Sequence, residues 1–176
     1  MNELVIRELL DAAIQAPTAI HEEPWRFVIV QDTVILKRLS DRAKTLAVDE
    51  ASRHHDLLKA PGAAPSRDML SILAHPAFNI FYDASTLIVI CGKALSQYVP
   101  ADCWLAAENL MLAACAMGLG TCCIGFSIPI LNTPMVKQEL GIPLDVTAVA
   151  PIIVGYPKGP VPPVPRKPPE ILTWVH

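Results

Sequence analysis

The feature that most constrains this chain is the stretch 109–136, in which no side chain is charged. It is long enough to cross a bilayer by residue count. However, Gly118, Gly120 and Gly125 interrupt it, and the Gly-Leu-Gly-Thr in its middle predicts the end of a helix followed by a turn. We therefore expect separate, shorter buried elements here, and no membrane partner.

Charge is scarce throughout the chain. Charged residues make up 18% and hydrophobic residues 52% of the 176 positions, against a usual ~25% and ~45–50%. This composition excludes a disordered chain, and a net charge of −3 argues against nucleic acid as the main partner. The length suits one domain, which we expect to span residues 1–176. A chain of this size with so few charges could have part of its surface covered by a partner subunit, a membrane or a bulky cofactor, and the glycine-interrupted stretch argues against the membrane.

The cysteines and the N-terminus indicate a location. The five cysteines are an odd number, and none lies in a CxxC or Cys/His metal-binding spacing. We interpret them as buried, reduced thiols, which implies a cytoplasmic, reducing compartment. Residues 1–15 mix charged and apolar side chains at helical spacing, which predicts an amphipathic helix rather than a signal peptide.

Along the chain, helical and extended patterns alternate. The stretch 101–117 is apolar nearly all round, so it predicts a central helix lying against a sheet. Region 47–73 is ambiguous, and its prolines and glycine favour a loop or mobile lid. Seven prolines in 157–169 predict an extended surface arm. The pattern indicates an α+β domain with further helices over 2–15, 33–44 and 134–140, strands over 27–30, 86–91 and 146–155, and a short extended piece over 121–125.

The chain offers no constellation of nucleophile and base. It contains no phosphate-binding P-loop, and Gly118-Leu119-Gly120 lacks the third glycine of a dinucleotide-binding fingerprint. A hydrolase or kinase is therefore unsupported. If the chain is an enzyme, its chemistry should come from a bound cofactor.

Three segments occur in an order that resembles a known family. Residues 16–27 read Ala-Pro-Thr-Ala-Ile-His-Glu-Glu-Pro-Trp-Arg-Phe, residues 106–121 carry Ala-Ala-Glu-Asn-Leu-Met-Leu-Ala-Ala and then Gly-Leu-Gly-Thr, and Gly-Tyr-Pro at 155–157 precedes Arg-Lys-Pro at 166–168. They resemble the FMN-dependent nitroreductase family over nearly the whole chain. The resemblance implies a three-layer α/β/α sandwich with a central, mostly antiparallel sheet flanked by helices, and an extended C-terminal arm over 156–176.

The resemblance also implies a site for FMN. Thr18 takes the family's usual Ser position and His21 its usual Asn position, in a loop that contacts the flavin. Backbone amides near Gly125 would face the flavin N5 and O4 region, and a cation of the arm would meet the phosphate. The implied cofactor-binding residues are Pro17, Thr18, Ala19, His21, Cys122, Cys123, Ile124, Gly125, Arg166 and Lys167. Without a ligand, the same segments would be a helix-end turn, a tight core turn and solvated charges, alternatives that the residues leave open.

The activity implied by the resemblance is a ping-pong oxidoreductase. A homodimer with sites at its interface would pass hydride from NAD(P)H through flavin N5 to a nitroaromatic, quinone or similar acceptor. Thr18 and His21 would come from one chain and the 123–125 loop from the other. A family member that consumes its flavin is a further alternative.

Several positions depart from the family pattern. Glu23 and Glu108 stand where the family has Gln, and an ionised Glu23 near the flavin would oppose negative charge on the reduced ring, altering its potential or substrate choice. The family's Arg-Arg-Ser-x-Arg segment, which binds the flavin phosphate and ribityl chain, is not seen before the first helix. We therefore expect an upstream start, weak FMN binding, or a flavin-free protein with a binding or interaction role.

Overall fold

A computed structural model describes residues 1–53, 67–93, 96–160 and 162–175. Six helices and four strands lie in these ranges. The helices are α1 (Glu3–Ala13), α2 (Thr33–Arg53), α3 (Arg67–Ala74), α4 (Val99–Ala116), α5 (Ile128–Leu131) and α6 (Pro134–Leu140). The strands are β1 (Trp25–Val30), β2 (Thr86–Lys93), β3 (Gly120–Cys123) and β4 (Val146–Gly155).

Polar caps set where the helices begin. The Asn2 side chain accepts a hydrogen bond from the Leu4 amide at the start of α1, and Asp32 Oδ1 accepts from two amides in the first turn of α2. Gly141 ends α6 in the left-handed conformation, with φ of 69°. These ends explain why the predicted helices at 2–15 and 134–140 are confirmed to within two residues.

The four strands form one antiparallel sheet in the order β1-β2-β4-β3. Successive β2 side chains point to opposite faces, where they join two separate cores. Ile88 and Ile90 pack with α1 and α4, whereas Leu87 and Val89 pack with α2, α5 and α6. Helices therefore cover both faces of the sheet. The predicted α+β fold, a three-layer sandwich with an antiparallel central sheet, is confirmed.

Helix α4 is the central helix of its layer. Its inner face, including Ala106 and Leu110, is fully buried against α1 and the sheet. Its outer face carries large apolar side chains, because Trp104, Leu105 and Leu112 are 40%, 45% and 59% exposed. An exposed apolar stripe of this kind on a chain of this size marks a contact surface.

The charge-free stretch is divided among several elements, as predicted. Helix α4 ends at Ala116, β3 and a 3-10 turn at Gly125–Ser127 follow, and α5 comes before α6. In the described part of the chain, no helix combines the length and apolar character needed to span a bilayer.

The expectation of a loop or lid over 47–73 is wrong at both ends. Helix α2 continues to Arg53, and α3 begins at Arg67. The residues that follow position 44 are mostly good helix formers, so α2 extends past the predicted end. The prolines and glycine that suggested a loop lie within 54–66, outside the described residues. The buried Lys44 joins the two helices, because its Nζ donates to carbonyls after α3, including Phe78 O at 2.8 Å.

An ion-pair network links α6 to α2. The Glu139 carboxylate accepts hydrogen bonds from the Arg38 guanidinium and, at 2.7 Å, from Arg42 Nη1. The hydrogen bond from Arg38 is the main reason that the pKa of Glu139 lies below its usual range.

The free edge of β4 is covered by a side chain. Strand β3 pairs only with the last residues of β4, from Ile152 onward. Beyond them, the Asn132 amide bonds to both backbone groups of Ala148: its Nδ2 donates to Ala148 O at 2.9 Å, and its Oδ1 accepts from Ala148 N at 2.9 Å. One amide side chain thus replaces a neighbouring strand at this edge.

The C-terminal arm is extended, as its prolines predict. Within 156–160 and 162–175 there is neither helix nor strand, and nearly all of the side chains are exposed. Large apolar side chains are among them, with Ile171, Leu172 and Val175 each more than half exposed.

Candidate functional site

The loop after α1 has an unusual backbone. A 3-10 turn spans Ala19–His21, and three residues that are not glycine have positive φ: Ile20 at 46°, His21 at 57° and Glu23 at 44°. Side chains make this conformation unfavourable, most of all for a β-branched residue such as Ile20. Strained backbone of this kind concentrates at binding sites, where the surrounding structure enforces it. Ile20 is 86% exposed, so it presents an apolar side chain at the loop tip.

Hydrogen bonds hold this loop against the start of α4. The Ala19 amide donates to Asp102 Oδ1 at 3.1 Å, and the buried Trp25 indole donates to Asp102 O at 3.1 Å. Within the loop, Thr18 Oγ1 accepts from the Glu23 amide at 3.4 Å. The residues Pro17, Thr18, Ala19 and His21, predicted from the sequence, therefore lie together at one end of α4.

The second candidate segment lies where β3 ends. The Ile124 amide donates to Pro151 O at 2.9 Å, which fixes the backbone that leads into Gly125. Apart from its two chain neighbours, no residue that the structure describes has an atom within 4 Å of where a Cβ on Gly125 would stand, so a flat group has room to approach this backbone. The predicted residues Cys122, Cys123, Ile124 and Gly125 are thus adjacent at the sheet edge.

The two thiols of this segment differ in their surroundings. The expectation that all five cysteines are buried is wrong, because Cys115 and Cys122 are exposed. Cys123 is partly buried, with its Sγ 3.6 Å from the Met111 Sδ on α4. Burial raises the pKa of the Cys123 thiol, and Cys122 and Glu108 raise it further. Cys123 is therefore a neutral, apolar neighbour of the segment at neutral pH.

The two loops are far apart within one chain. The strand register aligns Trp25 with Gly92 and Thr147, and Cys123 with Ile152. At the usual strand spacing and rise, this register separates Trp25 from Cys123 by about 14 Å across the sheet and about 16 Å along it. Along α4, the contacts at Asp102 and Met111 are about 14 Å apart. The two loops are therefore too far apart to hydrogen-bond to the same small ring from a single chain.

The predicted cations on the arm lie apart from both loops in sequence. Arg166 and Lys167 are exposed, in the extended part of the arm. The structure thus brings the predicted residues into two separate groups and leaves these two cations on a third segment.

Sequence reasoning missed the residues that support the loop. Asp102 stands in the sequence at the head of the second family-like segment and, with Glu108, as one of two charges on an apolar helix, and Trp25 lies in the first segment. Neither was given a role. One feature of the sequence could have indicated the role of Asp102: it is the one acidic residue in the first turn of α4. A carboxylate at the start of an otherwise apolar helix indicates that a backbone donor lies nearby.

Comparison with known proteins gives consistent matches. The model of the nitroreductase family matches residues 2–156. A putative NADH dehydrogenase/NAD(P)H nitroreductase of Archaeoglobus fulgidus is 28% identical over 158 residues, which is 87% of this chain and 72% of the relative. An iodotyrosine deiodinase of Thermotoga neapolitana is 26% identical, over 89% of this chain and 78% of the relative.

A solved structure shares the fold. The crystal structure of a nitroreductase with bound FMN from Bacteroides fragilis superposes with a TM-score of 0.78 at 23% identity, covering 100% of this chain and 89% of that chain. The family match runs from the first helix to the end of the last strand, and the resemblance inferred from the three sequence segments is confirmed. This chain belongs to the nitroreductase family.

Proposed function

We propose that this protein is an FMN-dependent oxidoreductase that takes reducing equivalents from NAD(P)H. Membership of the nitroreductase family and the FMN-bound structural neighbour support this assignment. A relative named as an NAD(P)H nitroreductase supports the choice of reductant. The electron acceptor is a nitroaromatic, a quinone or a similar oxidant.

The observation that carries the proposal is the separation of the two candidate loops. Each loop has features suited to a ligand: one has strained backbone, and the other has open space beside a glycine. Because one chain holds them at opposite ends of α4, a complete site needs the first loop from one protomer and the second from another. The enzyme is therefore a homodimer whose sites lie at the interface.

The outer face of α4 supports such a dimer. Trp104, Leu105 and Leu112 are spaced so that they share one side of the helix, and their exposure leaves this apolar surface for a partner to cover. Burial of this surface also accounts for the low charge of the chain, since interface cores are depleted in charged side chains.

The described residues fit FMN. The pyrimidine edge of a flavin carries both donors and acceptors, and the Pro17–Ala19 turn with His21 offers a hydroxyl, backbone groups and an imidazole. Cys122, Cys123, Ile124 and Gly125 of the other protomer would supply backbone amides toward N5 and O4, because the space beside Gly125 is open. Arg166 or Lys167 would meet the phosphate, for which a guanidinium is well suited.

When held by the Pro17–Ala19 turn, His21 and the 122–125 segment, FMN would supply the redox chemistry, a two-electron transfer between NAD(P)H and the acceptor in a ping-pong reaction. The protein orients the ring and provides fixed donors from its backbone. The apolar Ile20 and the α4 stripe exclude water from the interface. His21 and Glu23, which replace the usual Asn and Gln, tune the environment of the pyrimidine edge.

Spectroscopy and turnover test this proposal together. Purified protein mixed with FMN should retain a shifted flavin spectrum after gel filtration, and should consume NADH or NADPH when menadione or a nitroaromatic is added. Chromatography of the flavin after turnover should return intact FMN, and loss of FMN would instead identify a flavin-consuming enzyme. If no flavin is retained and no NAD(P)H is consumed, the oxidoreductase assignment is refuted, and a binding role becomes the better account.

A further inference from the structure

Two of the three positive-φ residues of the first loop, Ile20 and His21, lie between two tethers. On one side, the Ala19 amide donates to Asp102 Oδ1 at 3.1 Å. On the other side, Ser96 Oγ donates to Glu22 Oε2 at 2.8 Å. Both tethers come from α4 or from the residues just before it. The strained turn at Ile20 is thus held from the same part of the fold at both ends, as an enforced conformation requires.

Of the two tethers, the one made by Asp102 is the more informative, because the Asp102 side chain is buried. Its side chain is only 3% exposed, and its Oδ2 has no hydrogen-bond partner among the residues that the structure describes. A buried carboxylate oxygen without a partner is unfavourable, so a small apolar side chain would serve α4 better. The helix dipole favours an acidic residue near this end of α4, but it does not require one buried beneath a loop.

We propose that Asp102 is the positioning residue of the flavin-edge loop, holding Ala19 so that Thr18 and His21 are set for the cofactor before it binds. This inference rests on the proposed function, because the loop is assigned to FMN there. With the carboxylate in place, the loop is ordered in advance and FMN does not have to order it. Without it, the Ala19 amide loses its acceptor, and Ile20 and His21 relax to negative φ.

The test compares Asp102→Ala with Asp102→Asn in the full-length protein. Asn keeps an oxygen that accepts the Ala19 hydrogen bond, so this variant should behave like the native protein. Ala removes the acceptor. Asp11→Ala is the matched control, since Asp11 is an exposed carboxylate on α1. Two quantities are measured: hydrogen exchange of the peptide spanning residues 17–24 in flavin-free protein, and the Kd for FMN from fluorescence quenching.

We expect Asp102→Ala to speed exchange in this peptide by about tenfold or more and to weaken FMN binding by about tenfold, whereas peptides from β2 and β4 keep their native protection. Asp102→Asn and Asp11→Ala should leave both quantities near native. Asp102→Ser is a second variant with a smaller loss of volume, in case the Ala variant does not fold. Its hydroxyl is too short to reach the Ala19 amide, so it should show the same two effects.

The outcomes separate this inference from the proposed function. Native exchange or native FMN affinity in folded Asp102→Ala or Asp102→Ser would overturn the role of Asp102, while FMN binding by the native chain would still stand. An Asn variant as impaired as the Ala variant would also overturn it, because the retained acceptor should rescue the loop. If the native chain binds no FMN but the exchange results follow the expectation, the proposed function fails and the tether by Asp102 is upheld.

Discussion

A charge placed on the outer face of α4 should dissociate the proposed dimer without unfolding the protomer. Leu112 suits this test because it is 59% exposed in the single chain. Its side chain therefore contributes little to the protomer core. Glu is a good helix former, so Leu112→Glu leaves α4 intact.

The exposed fraction gives the magnitude. Burying a whole leucine side chain is worth about 1.5–3 kcal/mol, so burying 59% of it at the interface is worth roughly 0.9–1.8 kcal/mol per protomer. In a two-fold dimer, Leu112 of both protomers is buried at the interface, so the total is roughly 2–3.5 kcal/mol per dimer. At 1.4 kcal/mol per tenfold, this weakens the dimer by about 20- to 300-fold. The buried carboxylate adds to the loss.

Sedimentation velocity over a range of protein concentrations measures the effect, and retention of FMN after gel filtration follows it. The variant should be monomeric where the native protein is dimeric, and it should lose FMN because the two loops then belong to separate molecules. Leu144→Glu is the control, since Leu144 is 73% exposed in the turn before β4 and should leave the dimer intact. A Leu112→Glu variant that remains dimeric with native affinity would refute the assignment of α4 as the interface.

Three further outcomes follow from the described contacts. Gly141→Ala should lower the free energy of unfolding by about 1–2 kcal/mol in urea denaturation, because φ of 69° is unfavourable for a side chain. The hydrogen bond from Arg38 lowers the pKa of Glu139 in the folded state. The ionised Glu139 therefore stabilises the folded protein in full above the unfolded-state pKa of about 4.3, and this stabilisation is lost as the pH falls through the folded-state pKa. Glu139→Gln should therefore cost up to about 1 kcal/mol at pH 7 and almost nothing near pH 2. Burial raises the pKa of Cys103 to about 12, so a thiol reagent at about pH 8 should label the exposed Cys115 and Cys122 first and Cys103 only after unfolding.

Each of these outcomes has an internal comparison. Gly159→Ala should be neutral, since Gly159 has open space around it and is not among the glycines with positive φ. A pH-independent cost for Glu139→Gln would show that packing, rather than charge, links α6 to α2. Labelling of Cys103 in the native protein at the rate of Cys122 would contradict its burial.

Elements with clear end signals could be predicted from the sequence. The limits of β4 and α6 are as expected, because β-branched residues fill the strand and a glycine closes the helix. The extent of α2 was not predicted correctly, because Pro61, Gly62 and Pro65 led to the prediction of a loop over the whole of 47–73, including the helix-forming residues that come before them. Helix α2 instead continues to Arg53.

The candidate site was predictable in part. The family pattern predicts Thr18 and His21 as cofactor-binding residues, but no local rule places a β-branched residue such as Ile20 at positive φ. The tertiary hydrogen bond next to it, from the Ala19 amide to Asp102, involves a residue more than eighty positions away. The resemblance already implied that the two loops come from different chains, but the distance between them within one chain could not be worked out until the strand register was known. It follows from pairing across the whole sheet, which the sequence of either loop does not contain.

The amide of Asn132 has a consequence for how copies of this chain associate. Open strand edges are templates for uncontrolled growth of a sheet from one molecule to the next. Here both backbone groups of Ala148 are already engaged, so another chain meets no free donor or acceptor at that residue. Sheet growth is therefore blocked at this point of β4, so an association through the apolar outer face of α4 would not compete with strand pairing there.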